Sequence, residues 1–249
     1  MDKEKFNLAC EKIINIERER NGIGTLGEKT LHAVLKNYFE PSLDRHEVKI
    51  KSFVADIVAE DEIIEIQTRN FALLRKKLET FLEMGKVTVV YPIPHTKWLI
   101  WVDEKTGEET KRRKSPRHGS VYDAFFELYR IKYLLSHPNL KFCFVLIDVH
   151  EYRYLNGYSQ NRKKGSTRMD RVPIDIVEEV YVNSINNYKY LIPDGLSEEF
   201  TAKDFASASK LRLPRAQTAL NVLNYINVVE RVSKIGNAYV YKKNKTVVD

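Results

Sequence analysis

The chain has few of the residues that mark several common protein classes. Its 249 residues include two cysteines, three methionines and ten glycines. Cys10 and Cys143 both sit in apolar stretches and read as core thiols rather than a disulfide or a metal pair. The expected compartment is therefore reducing, the cytoplasm. His95, His118 and His150 lack zinc-like spacing. No run approaches the roughly 18 apolar residues that a membrane helix needs. The opening Met1-Asp2-Lys3-Glu4-Lys5 leads into a charged helix without the apolar core of a signal peptide. Repeats and low-complexity tracts are absent from the sequence. What remains is an ordinary soluble composition, 43% hydrophobic and 30% charged.

What the chain does have is an excess of positive charge, +7, which favours an anionic partner such as nucleic acid. Two basic stretches concentrate it, Lys111-Arg112-Arg113-Lys114 and Arg162-Lys163-Lys164. The second lies in a polar, aromatic run from Tyr152 to Arg171 that also carries Arg153 and Arg168. Such stretches are commonly solvated loops; two in one basic protein, one beside tyrosines, suit phosphate contact.

Periodicity organises the chain as follows. Helices are expected over 3–20 and 28–39, the second with the stripe Leu31, Val34, Leu35, Tyr38 and Phe39. Three strands follow, at 46–51, 53–59 and 62–67, then an amphipathic helix over 70–83 with Arg75, Lys76 and Lys77 between its apolar positions. Val87 to Tyr91 reads as a buried strand stopped by Pro92 and Pro94. An antiparallel meander is thus joined by a helical crossover to a further, parallel strand. Beyond it a hairpin over 97–109, a helix over 121–135, a central strand over 142–149 and a helix over 174–190 are expected. Pro193-Asp194-Gly195 is the best linker, dividing a domain of residues 1–193 from one of residues 196–249.

Two carboxylates stand out. Asp56 lies in Val54-Ala55-Asp56-Ile57-Val58 and Glu65 in Ile63-Ile64-Glu65-Ile66-Gln67, strand-like segments that are otherwise apolar. If the chain folds back about Glu60-Asp61, the two acids lie opposite each other. Like charges so placed destabilise a sheet, and burying an unpaired carboxylate is costly. A divalent cation would relieve both problems; salt bridges from Lys29, Lys49 or Arg69 are the plainer alternative. Glu28 adds a third acid on a helical face shared with Leu31, His32 and Leu35, and Thr25-Leu26-Gly27-Glu28 also fits a capping box. His32 itself reads as a packing residue.

This order of elements and acids resembles the PD-(D/E)xK nuclease superfamily over about residues 20–95. The resemblance implies an α/β fold, a restriction-endonuclease-like mixed sheet flanked by helices. It matches Asp56 to the family's Asp and Glu65-Ile66-Gln67 to its Glu-x-Lys, with Gln67 standing where Lys is usual. It implies Mg²⁺- or Mn²⁺-dependent phosphodiester hydrolysis, with Asp56, Glu65, Glu28 and the Ile66 carbonyl as metal ligands and Gln67 orienting water. A neutral amide can hydrogen-bond but cannot supply the lysine's charge.

The tail resembles a winged helix over about 196–245: a short helix capped by Thr201, a second helix opened by Pro214, and two strands. Arg215, Gln217, Thr218 and Asn221 fall outside the core stripe of its second helix, and Lys234 flanks the wing, as suits DNA contact. The expected function is a metal-dependent DNA endonuclease or DNA-processing nuclease. The rivals are a non-catalytic DNA-binding scaffold and a subunit of a larger assembly, its tail serving a partner protein or a homodimer. A membrane partner is not expected.

Overall fold

The computed structural model describes residues 1–20, 29–156 and 166–244. Its elements begin with α1 (Lys3–Arg20), α2 (Thr30–Phe39), β1 (His46–Ile50), β2 (Phe53–Val58), β3 (Glu62–Ile66) and α3 (Arg75–Leu82). Next come β4 (Lys86–Val102), β5 (Arg113–Lys114), α4 (Phe125–Leu128), β6 (Leu140–Tyr154) and β7 (Arg168–Val182). The chain closes with β8 (Glu199–Thr201), α5 (Ala202–Ser209), α6 (Leu213–Tyr225), β9 (Val229–Ile235) and β10 (Ala238–Lys243). The fold is mixed α/β: a seven-stranded mixed sheet flanked by helices, and a smaller three-stranded sheet. Among the described residues no helix is long and apolar enough to cross a membrane.

The chain divides into two compact units. The first holds Met1–Ala59, Pro92–Ser120 and Val145–Glu179. In it α1 lies against α2 through Phe6 and Tyr38, whose rings meet edge to face at 5.8 Å. Tyr38 Oη donates to Glu179 of β7 at 2.7 Å, tying α2 to the sheet. Strands β1 and β2 pair antiparallel, Val48 opposite Ala55. The outer half of β4 pairs antiparallel with β5, and β6 lies between β4 and β7. Tyr152 packs with Ile100 and Val102, covered by Met169 and Val172.

The second unit holds Glu60–Tyr91, Val121–Phe144 and Val180–Asp249. Here β3 runs parallel to the start of β4, Glu65 opposite Val89, with α3 as the crossover the sequence led us to expect. Phe71, Phe142 and Phe144 stack in its core. In the tail, β10 lies between β8 and β9. Thr201 forms a full capping box with Asp204, and Pro214 occupies the first turn of α6, both as read from the sequence.

Three expectations are corrected. Strand β4 does not stop at Pro92 and Pro94 but continues to Val102. Its neighbour there, the segment 115–119, takes carbonyls from β4: Ser115 N donates to Lys97 O at 2.8 Å and Gly119 N to His95 O at 2.9 Å. Val90 O before the prolines and His95 O and Lys97 O after them all accept, so the strand stays paired on either side of the two missing N–H groups. Gly119 is required at this approach, since a Cβ would fall 2.2 Å from the Pro94 carbonyl oxygen. The expected helix over 174–190 is instead the second half of β7 followed by a 3-10 turn, Ile185–Leu191. Val172, Ile174, Ile176, Val177, Val180 and Val182 are β-branched, and their strand preference overrode the helical spacing. The helix over 121–135 forms as three short helical pieces, interrupted at Ile131.

Candidate functional site

Glu65 is the most constrained carboxylate of the second unit. Apolar Ile63, Ile64 and Ile66 make β3 an inner strand, so Glu65 is carried into the interior and is 1% exposed. A charge so placed needs a partner. The crossover supplies it: Leu78 and Phe81 bury one side of α3, and the adjoining Lys77 places its Nζ 2.5 Å from Glu65 Oε2. Lys77 also lies over the Phe81 ring at 5.7 Å. Gln67 sits just past β3. Its backbone N donates to Val90 O at 2.9 Å and its side-chain amide to Asn70 O at 3.4 Å, at the left-handed residue that turns the chain toward α3. Ile66 is buried.

Lys77 escaped the sequence reading, which offered Lys29, Lys49 and Arg69 as cations. Its signal was the Arg75-Lys76-Lys77 run on the expected crossover helix, but only the parallel β3–α3–β4 packing selects the third of these.

In the first unit Asp56 lies on β2, and α2 brings His32 to it: Nε2 and Oδ2 stand 3.2 Å apart. The role of His32 as packing alone is therefore corrected; it is a polar partner of Asp56. Lys29 donates to the Met169 carbonyl at 2.7 Å. Glu28 and its capping box lie outside the described residues, as do Arg162, Lys163 and Lys164. Among the described residues no group of three or more His, Cys, Asp or Glu is placed to hold a metal ion. His95 and His118, distant in sequence, come together with ring centroids 5.5 Å apart, and His95 Nδ1 lies 3.1 Å from Asp148 Oδ1.

The first unit also holds a buried acid that the sequence reading passed over. Glu151 is fully buried and bonded to Arg153 and Arg171. The signal was an acid at the end of the apolar run of β6 with arginine two positions on, hence on the same strand face.

The expected DNA-contacting residues are placed unevenly. Arg168 opens β7. On α6, Arg215 pairs with Asp123 at 2.5 Å and the Asn221 side-chain oxygen accepts from Lys132 at 3.0 Å, so both are used within the second unit. Thr218 bonds back to the Pro214 carbonyl at 3.0 Å. Gln217 is exposed, and Lys234 on exposed β9 lies over the Tyr239 ring at 4.7 Å.

Comparison with known proteins places the chain by family. An uncharacterized protein of Treponema pallidum (strain Nichols) is 28% identical over 222 residues, covering 89% of this chain and 87% of that one. No solved structure matches. Residues 29–183 match the family model described as "Domain of unknown function (DUF8091)". That span takes in both Asp56 and the Glu65–Lys77 pair and covers more than half of the chain, which therefore belongs to the DUF8091 family.

Proposed function

We propose that the chain is a divalent-cation-dependent phosphodiesterase acting on DNA, with Glu65 and Lys77 at its chemical centre. One observation carries this reading. A carboxylate 1% exposed, near the carboxyl end of a parallel strand, is held against an ammonium delivered by the crossover helix. In open α/β sheets, ligands bind outside the carboxyl ends of the strands.

The resemblance to PD-(D/E)xK nucleases adds Asp56, Glu28 and the Ile66 carbonyl to Glu65 as metal ligands. Carboxylates and a carbonyl are the hard oxygen donors that Mg²⁺ or Mn²⁺ accepts. When bound, the cation would activate water and neutralise charge on the phosphate. Lys77 supplies the positive charge that Gln67 lacks. Its ammonium can stabilise negative charge building on a phosphate oxygen. Gln67, anchored to the turn at Asn70, offers an amide to orient water. Gln217 and Lys234 are the tail positions that support a DNA contact if residues 196–245 act as a winged helix.

A second reading, a non-catalytic DNA-binding protein, is favoured by the same ion pair: Glu65 already has a cation, and Gln67 is the weaker donor. Incubating supercoiled, linear and single-stranded DNA with Mg²⁺ or Mn²⁺, for wild type beside Asp56→Ala, separates the two. Metal-dependent cutting that disappears in the variant supports the hydrolase. Equal cutting by both proteins overturns the site. Binding without cutting selects the scaffold reading.

A further inference from the structure

We propose that Lys97, Arg153 and Arg171 of the first unit form a phosphate-oxyanion site whose ligand is the backbone of a nucleic-acid strand. The site is built around Glu151, which is 0% exposed. Arg153 grips its Oε1 through Nε at 2.7 Å and Nη2 at 2.5 Å, while Nη1 donates to Ser166 Oγ at 3.2 Å. Arg171 Nε donates to Oε2 at 2.8 Å. One acid thereby fixes the orientation of two guanidinium groups on neighbouring strands β6 and β7.

The charge does not balance. A structural ion pair needs one cation for each carboxylate, yet three, Arg171, Arg153 and Lys97, act on this one. Lys97 is held on β4, beside β6. Its ammonium is pulled below the usual lysine range, first by burial and then by Arg171, Arg117 and Arg153, against the opposing pull of Glu151. Partly buried like charges on a rigid sheet repel one another, and an incoming anion removes that repulsion. Arginine is suited to the task, since its planar fork matches phosphate and its charge is permanent.

A strand is favoured over a small phosphate because the basic surface continues. Leu99, two positions from Lys97 and so on the same strand face, lies opposite the exposed Arg113 of β5. Cations spread over several residues of one face follow a polymer of phosphates rather than one. This inference rests on the nucleic-acid part of the proposed function but not on hydrolysis.

The test is fluorescence anisotropy of labelled single-stranded and duplex DNA with the full chain, in EDTA and over a range of salt. Lys97→Gln and Arg113→Gln are the variants, because the bonds that hold Glu151 come from Arg153 and Arg171; circular dichroism checks their fold. Each is expected to weaken binding several-fold and to reduce the salt slope by about one. Unchanged affinity and slope in both variants would overturn the site. Calorimetry with inorganic phosphate forms the other arm. Phosphate binding that depends on Lys97, beside strand binding that does not, would overturn the strand in favour of a small ligand. Failure of wild type to bind any DNA would remove the nucleic-acid reading itself, whereas binding without cleavage would remove only hydrolysis.

Discussion

Glu65 in the second unit and Glu151 in the first are both buried glutamates on inner strands, but their surroundings differ. Glu65 meets a single ammonium at 2.5 Å, and both partners are largely enclosed. Glu151 is gripped by two guanidinium groups whose side chains remain 29% and 19% exposed, with Lys97 adding to the field. A one-to-one pair leaves the acid a single cation to exchange, and under the proposed function a metal would take part of that role. A one-to-many cluster is committed: the acid is saturated, and its outer cations face whatever anion arrives. The ratio of cations to acid, more than burial, separates a candidate chemical centre from a candidate docking surface.

Removing one partner from each site sharpens this contrast. Lys77→Met withdraws the ammonium from an enclosed carboxylate and is expected to cost about 3–5 kcal/mol. Added Mg²⁺ or Mn²⁺ should restore part of that loss if Glu65 accepts a cation. Glu151→Gln strands cations that water can reach and leaves an amide to bond them, so its cost should be lower, about 2–3 kcal/mol. Urea unfolding with and without divalent ions measures both. A larger loss for Glu151→Gln would reverse the comparison.

Acid probes the charge of the cluster. Burial pushes the Glu151 carboxyl up, but Arg171, Arg153 and Lys97 together outweigh it and hold it at about 2, against an ordinary 4.5. A depressed carboxylate stabilises the fold above its unfolded value. This contribution, about 3 kcal/mol by linkage, should be intact above roughly pH 4.5 and fade as pH falls toward about 2. Wild type should lose stability through that window more steeply than Glu151→Gln; parallel profiles would count against the cluster's charge.

The smallest expected effect lies outside both sites. Thr201→Ala removes the capping box of α5 and should cost about 1 kcal/mol in thermal or urea unfolding. Its DNA affinity should match that of wild type, because the contrast between the two glutamates does not involve α5.

Much of the frame could be read from the sequence because its signals are local. Alternation and short apolar runs give β1, β2 and β3, the Leu78 and Phe81 stripe gives the crossover, and Thr201 and Pro214 mark the ends of the tail helices. Strand β7 was hidden by a spacing compatible with either element, resolved by β-branched residues packed in a sheet. The prolines of β4 point to a stop, whereas the carbonyls of His95 and Lys97 that pair the strand beyond them leave no local signal. The site was legible in the same uneven way. Asp56 and Glu65 declare themselves as acids among apolar neighbours. Their partners His32 and Lys77 do not, because only packing of α2 and α3 chooses them. Glu151 lies two residues past the expected central strand, and its partner Arg171 comes from a segment expected to be non-strand.

The central claim is that Glu65 serves phosphodiester chemistry rather than structure. The most direct test is the single-turnover rate of Mn²⁺-dependent DNA cleavage by wild type and Glu65→Gln, with DNA affinity measured in parallel. The account predicts a loss of about 100-fold or more in rate with affinity unchanged. Equal rates in the two proteins would contradict it.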